Sequence, residues 1–202
     1  MIKNIIFDIG NVLVEYDPAN TLRREGLSEP QISSLLDATI NNCLWKEMDR
    51  GFIPEEVIAE KMIEQYPEME TLIHMFFAHT IYDMIEPAAY ARAWLAGLKK
   101  RGYKIYLLTN YPKELFDAHC KNRFTFMEYV DGQIVSGEVQ QIKPDPDIYR
   151  ILLQKYELRP EECVFIDDHG ENVLVAQCMG MQGIHFINYD DTCYVLENML
   201  ET

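Results

Sequence analysis

Four polar clusters interrupt the apolar stretches of this sequence. Asp8 follows "NIIF", Thr109 and Asn110 follow "KIYLL", Asp167 and Asp168 end "CVFIDD", and Lys143 opens "KPDPDIY". Three carboxylates brought to one partly buried place repel one another, and burial raises that cost. A divalent cation relieves the repulsion. Hard oxygen donors with few companions suit Mg²⁺, which keeps waters and a phosphate oxygen in its shell. A lysine and a hydroxyl beside such a centre bind the anionic end of a substrate. A carboxylate held in line with phosphorus can act as a nucleophile and form an aspartyl-phosphate. Together the four clusters specify phosphoryl transfer, provided the fold gathers them.

The elements that must do the gathering can be read from periodicity. "NIIFDIG", "YKIYLLTN" (103–110), "CVFIDD" (163–168) and, more weakly, "GIHFIN" (183–188) are short, continuously apolar runs. Such runs fit parallel strands covered on both faces. Helical spacing lies between them. "PAAYARAWLAGLKKRG" is read as a helix from Pro87 to Gly102, followed later by "PDIYRILLQKYEL" and by "ENVLVAQCMG", which stops at Gly180. Alternating strands and helices predict a doubly wound, mostly parallel, Rossmann-like α/β sheet. Ligands of such sheets bind beyond the carboxyl ends of the strands, which is where Asp8, Thr109–Asn110 and Asp167–Asp168 fall. "VDGQIVSGEV" (130–139) reads as a short hairpin or an irregular strand leading toward Lys143.

Residues 16–86 differ, with helical spacing and almost no strand signal. "SEPQISSLLDATI", "PEEVIAEKMIEQY" and "EMETLIHMFFAHTIYDMIE" carry the pattern. A segment of this length is too long for a simple crossover. The expected organisation is therefore a core formed by 1–15 and 87–202, with a small all-helical cap (16–86) inserted after the first strand.

Composition bounds the alternatives. The 202 residues suit one domain or a core with a small insertion, and 48% hydrophobic residues suffice for a sizeable core. A net charge of −15 disfavours nucleic-acid binding, since a phosphate backbone calls for a basic surface. Cys43, Cys120, Cys163, Cys178 and Cys193 form no C-x-x-C pair, so structural zinc and thioredoxin-like chemistry have no support, and free thiols in a reducing compartment are the simplest account. No secretory signal and no run of membrane-spanning length stand out, so no membrane partner and a cytoplasmic location are expected. P-loop and G-x-G-x-x-G patterns are absent.

Taken in order, "FDIGNV", "LLTN", "KPDPDIY" and "FIDDHGENV" resemble the four motifs of the haloacid dehalogenase superfamily of phosphohydrolases. The resemblance covers essentially the whole chain, with the helical insertion as the cap. The subgroup with "FDxGNV" openings includes bacterial alpha-D-glucose-1-phosphate phosphatases. It implies Asp8 as nucleophile and metal ligand, with the Gly10 backbone carbonyl and Asp168 as further ligands of Mg²⁺. Asp167 would bind through water or orient the shell. Thr109 and the Asn110 backbone would hold phosphoryl oxygens, and Lys143 would neutralise the charge on Asp8 and phosphate. Asn172 would orient Lys143 or Asp168. The substrate would be a small phosphorylated metabolite, with a sugar phosphate one candidate.

Position 10 departs from the pattern. Most phosphatases of the family carry a second aspartate there, which protonates the leaving oxygen and then activates water. Gly10 can do neither, and loss of a general acid or base typically costs about 10²–10⁴-fold. Three accounts are open: a replacement (Glu15, Asp17 or a cap side chain), a substrate with a good leaving group, or a phosphometabolite-binding or protein-partner module without efficient turnover. In capped relatives the cap selects the substrate, and "CLWKEMDRGFIP" (43–54) lies where they present a substrate loop. Trp45 and Arg50 are its candidate contacts, against the alternative of cap core and surface charge. His74 and His79 are poorly spaced for a shared metal. His169, next to the acidic pair, is read first as a loop histidine. Oligomeric state has no signature in the sequence.

Overall fold

The apolar runs pair side by side. The computed structural model describes residues 1–201. In chain order its first elements are β1 (Asn4–Phe7), β2 (Val14–Tyr16), α1 (Pro18–Arg24), α2 (Glu29–Ala38), α3 (Cys43–Arg50), α4 (Glu55–Gln65) and α5 (Glu70–Met75). A π-helical turn (Phe76–Thr80) joins α5 to the short α6 (Ile81–Asp83) and β3 (Ile85–Pro87). There follow α7 (Ala91–Lys100), β4 (Lys104–Thr109), α8 (Lys113–Asn122), β5 (Gly132–Val135), α9 (Ser136–Val139), α10 (Pro146–Lys155), β6 (Cys163–Asp167), α11 (Gly170–Cys178), β7 (Gln182–His185) and α12 (Tyr189–Leu200).

The main sheet has five strands in the order β5-β4-β1-β6-β7, and every pairing is parallel. Strand β1 is central and buried on both faces. Ile5 and Phe7 point into one core and Ile6 into the other, as the two-residue period of a strand requires. The first core takes Trp94, Leu95 and Leu98 from α7, Leu115 and Phe116 from α8, and Leu196 from α12. The second takes Ile148, Tyr149 and Leu152 from α10 and Ala176 from α11. Helices therefore cover both faces, the doubly wound arrangement that the sequence predicts. The order of the strands sets β4, β1 and β6 next to one another, so the polar residues at their carboxyl ends meet.

Between β2 and β3 every element is helical, joined by short turns. The two strands themselves form a small antiparallel pair, with Glu15 opposite Glu86. The expected junctions at 15/16 and 86/87 fall inside this pair, which the helical spacing on either side did not reveal. Asp17 N–H also donates to the Met84 carbonyl at 3.1 Å, and Ala88 N–H to the Leu13 carbonyl at 3.0 Å, so hydrogen bonds extend past both ends.

Three local readings need correction. Pro87 belongs to β3 rather than to a helix start, and α7 begins at Ala91. A proline lacks a donor and is readily tolerated in such a two-stranded edge. Of the two readings of residues 130–139 the strand stands and the hairpin does not: Gly132–Val135 form the parallel edge strand β5, which runs straight into α9. Residues 43–50, read as part of a loop, are the helix α3. Asn42 caps it by accepting from Leu44 N–H at 3.0 Å, and Gly51 ends it in the left-handed region at φ 74°. Among the described residues no helix is long and apolar enough to cross a membrane.

Candidate active site

Asp8 is the first residue past β1, and its N–H still donates to the Ile166 carbonyl at 2.9 Å. The backbone of Asp8 is thus fixed by the neighbouring strand. Asp167 ends β6 with no exposed surface, and Asp168 follows it. Lys143 lies in the segment between α9 and α10 and is 3% exposed. Its ammonium sits 2.8 Å from Asp8 Oδ1 and 2.6 Å from Asp167 Oδ2, with the Phe165 ring beneath it.

The side chain of Asn110 explains how a loop lysine is held so firmly. Its Nδ2 donates to the Lys143 carbonyl at 3.0 Å, and its Oδ1 accepts from Lys143 N–H at 2.7 Å. Asn110 therefore clamps both backbone groups of Lys143, a part the sequence reading did not give it. Thr109, 1% exposed, ends β4 immediately before it.

Asn172 serves a different partner from the two expected. Its Nδ2 lies 2.9 and 3.0 Å from the two oxygens of Asp167, and His169 N–H adds a third donor at 2.8 Å. Residue 172 lies on the first turn of α11, directly after β6, and so faces the last residue of that strand. With Lys143 as well, Asp167 is surrounded by donors. This suits a residue that orients its neighbours rather than one that offers a free oxygen.

Asp168 is more open. Asn11 Nδ2 donates to its Oδ2 at 3.0 Å, and His169 Nδ1 lies 2.8 Å from its Oδ1. Asn11 reaches it because its backbone takes a left-handed turn at φ 52°, a region that asparagine tolerates better than most residues. Asn11 was missed in the sequence, where only its neighbour Gly10 attracted notice.

Charge at this centre is unbalanced. Asp8, Asp167 and Asp168 oppose one ammonium, Lys143. Burial, with the repulsion of Asp167 and Asp168, pushes Asp8 up to about 6 in spite of the Lys143 charge. For Lys143, burial alone would favour loss of the proton, but the charges of Asp8 and Asp167 override it and raise the pKa. Three carboxylates against one ammonium fit a divalent cation, and the hard oxygen set fits Mg²⁺. Ligand atoms of Asp167, Asp168 and His169 lie within 4.8 Å of one another.

Gly10 adjoins this group. A Cβ placed on it would stand 4.0 Å from Asp8 Oδ2 and meet nothing nearer. Neither crowding nor a positive φ demands glycine here.

Of the candidate replacements for its missing carboxylate, the two named residues, Glu15 and Asp17, have no hydrogen bond or ion pair to Asp8 or Lys143 among the described residues. Glu15 is exposed on β2. Asp17 caps α1, accepting from Asn20 N–H at 2.9 Å. A third acid, Asp49 near the end of α3, feels the charges of both Asp8 and Lys143. No spacing in the sequence singled it out.

Of the two cap candidates, Trp45 packs edge-on against Phe76 within the apolar core of the insertion. Arg50 lies over Phe52, with Glu47 at 3.9 Å. Neither has a hydrogen bond or ion pair with Asp8, Lys143 or the acidic pair among the described residues. His74 and His79 are both exposed.

Comparison with known proteins places the fold and the family. A family model for haloacid dehalogenase-like hydrolases matches residues 2–180. The chain is 28% identical over 199 residues to a sesquiterpene phosphatase of Aspergillus oryzae, covering 98% of this chain and 96% of that protein. It is 22% identical over 196 residues to a D-ribitol-5-phosphate phosphatase of Bacteroides thetaiotaomicron, covering 90% of each. The fold superposes with a TM-score of 0.72 on a HAD family enzyme of the same bacterium, solved with magnesium and inorganic phosphate. Identity there is 22%, covering 95% of this chain and 99% of that one. The chain belongs to the haloacid dehalogenase-like hydrolases.

Proposed function

We propose that the chain is a Mg²⁺-dependent phosphatase that hydrolyses a small phosphorylated metabolite through an aspartyl-phosphate on Asp8. The observation that carries this reading is the buried Asp8–Lys143–Asp167 chain, with contacts of 2.8 and 2.6 Å, at the carboxyl end of the central strands. Two relatives named as phosphatases and a structural neighbour solved with magnesium and phosphate support it. One relative is named for a sesquiterpene and the other for D-ribitol-5-phosphate, so together they support a phosphomonoester without choosing the alcohol.

Each residue has a part to play. Asp8 is fixed by β6 and offers an oxygen to phosphorus. Lys143 neutralises the charge that Asp8 and the phosphoryl group bring together, and its position is set before substrate arrives by Asn110 and Asp167. Such preorganised charge is commonly the largest part of catalysis. Thr109 and the main chain at Asn110 would bind phosphoryl oxygens. Asp8, Asp168 and the Gly10 carbonyl would hold Mg²⁺, with Asp167 orienting the set. When bound, the ion supplies charge neutralisation for the phosphate oxygens.

The test is a panel of aryl, sugar and polyol phosphates with Mg²⁺ or with EDTA. Turnover should depend on Mg²⁺ and vanish in Asp8→Asn, while circular dichroism shows the fold retained. Wild-type rates in Asp8→Asn would overturn the assignment. Measurable ligand binding with no turnover on any member would favour the binding module instead.

A further inference from the structure

We infer that Asp49, carried by the helical insertion, is the proton-transfer group of the phosphoryl reaction at Asp8 and takes the part of the carboxylate that Gly10 lacks. The inference rests on the phosphatase reading and deepens it.

Gly10 leaves open space beside Asp8 Oδ2, so no core side chain occupies the place from which a proton would be delivered. Glu15 is exposed and Asp17 caps its helix, and neither is hydrogen-bonded or ion-paired to Asp8 or Lys143 among the described residues.

The backbone of Asp49 is fixed against the segment that follows Thr109 and Asn110. The Ser136 hydroxyl donates to the Asp49 carbonyl and accepts from Tyr111 N–H at 2.8 Å, two residues after Thr109. The next turn is locked as well. The backbone of Gly51 lies so close to Gly137 that an added Cβ would come 2.5 Å from the Gly137 carbonyl oxygen. Gly137 in turn lies against the backbone at Lys113 and Tyr111. The end of α3 is thus built onto the segment that follows Thr109 and Asn110.

The Asp49 carboxyl is close enough to feel the charges of Asp8 and Lys143, and the phenols of Tyr16 and Tyr111 feel its own. Asp49 keeps some open surface, yet protein surrounds the carboxyl closely. Burial first, and the Asp8 charge second, push it up to about 7, against a smaller opposing effect of Lys143. Brønsted behaviour favours an acid–base group whose pKa lies near the working pH.

The chemistry balances with water as the only co-reactant. An Asp8 oxygen bonds to phosphorus, the bond from phosphorus to the leaving oxygen breaks, and its electron pair stays on that oxygen. Protonated Asp49 gives its proton there, releasing the alcohol. Ionised Asp49 then takes a proton from water as the water oxygen bonds to phosphorus. The bond to Asp8 breaks, and both carboxyl groups return to their starting states.

The experiment compares wild type with Asp49→Asn, which keeps size and backbone, on phosphates from p-nitrophenyl through phenyl to alkyl, with Mg²⁺. Wild-type kcat/KM should vary little along the series. In Asp49→Asn it should fall about 10²–10⁴-fold on the alkyl member and far less on p-nitrophenyl phosphate. A burst of p-nitrophenol equal to the enzyme concentration should also appear, because the phosphoenzyme is no longer opened efficiently. Asp49→Glu should recover part of the alkyl activity. Gly10→Asp should rescue alkyl turnover in the Asp49→Asn background more than it raises it in wild type.

An unchanged leaving-group dependence without a burst overturns the inference, as do equal effects of Gly10→Asp in both backgrounds. The two readings fail differently. If wild type turns over, Asp8→Asn is dead and Asp49→Asn keeps the wild-type slope, only this inference falls. If wild type hydrolyses no member of the series, the phosphatase reading falls with it.

Discussion

At the scale of single residues, the site is a chain of opposite charges in which each member needs the next. Lys143 is 3% exposed and ion-paired to two carboxylates, one of them with no exposed surface at all. Replacing it by Met preserves length but leaves Asp8 and Asp167 facing each other without a counter-charge. Breaking a buried pair in this way typically costs about 3–5 kcal/mol. Lys143→Met should therefore lower stability by about that amount in urea unfolding with EDTA. Mg²⁺ should stabilise the variant more than the wild type, because the cation then supplies the missing positive charge. Asn172→Ala is the milder counterpart. Asp167 loses two hydrogen bonds but keeps Lys143 and His169 N–H, so a loss of about 1–3 kcal/mol is expected. If Lys143→Met proves no more costly than Asn172→Ala, the ion-pair account of this centre is wrong.

At the scale of elements, the contact of α3 with the β5–α9 junction is where the helical insertion meets the site. Gly51→Ala tests it without altering a charged group. The new Cβ faces the Gly137 backbone at 2.5 Å and sits on a residue at φ 74°, so two independent costs oppose it. Backbone on both sides leaves little room for relief, and α3 should lift from Ser136. The expected result is a drop in kcat/KM on alkyl phosphates, with faster amide exchange in α3 and unchanged exchange in β1 and β6. Unaltered exchange in α3 would show that this contact does not hold the insertion in place. The same contact shows what the sequence can and cannot disclose. The strand ends were legible because continuous apolar runs such as "NIIF" and "CVFI" stop at charged residues, and period and polarity are local properties. The parallel sheet followed from their alternation with helices. Asp49, Ser136 and Asn11 were not legible. Ser136 and Asp49 are 87 residues apart, and their hydrogen bond exists only after two elements dock. Asn11 matters through one left-handed turn that brings it to Asp168, 157 residues away. Helix α3 was hidden for a more ordinary reason. Its eight residues include a single buried one, Met48, so little apolar pattern marks it.

At the scale of the whole molecule, the chain carries a net charge of −15 and still surrounds with protein a carboxyl group that feels the charge of Asp8. That arrangement has a pH signature. Asp49 has an ordinary value of 3.8 and is pushed up to about 7 in the folded protein. Between those values the folded state binds the proton that the unfolded chain has released, so stability falls as pH rises across the window. Below about 4 both states are protonated and no difference remains. Above about 7 the ionised, enclosed carboxylate exerts its full destabilising effect. Asp49→Asn removes that effect. Its stability relative to wild type should therefore be flat at low pH, climb between about pH 4 and pH 7, and level off above. Each kcal/mol of difference should appear as about 2–4 °C in Tm for a chain of this size. Other carboxylates titrate in both proteins and cancel in the comparison. Asp8 is the exception, and it acts in the same direction, since losing the Asp49 charge makes its own ionisation easier. Thermal melts of the two proteins in EDTA from pH 4 to pH 9 check this. A constant offset between the curves would mean that Asp49 ionises like a surface carboxylate. A rising difference, combined with slower turnover of alkyl phosphates, would show that the group weakening the fold near neutral pH is the one the reaction uses, as expected where a site holds a group under strain.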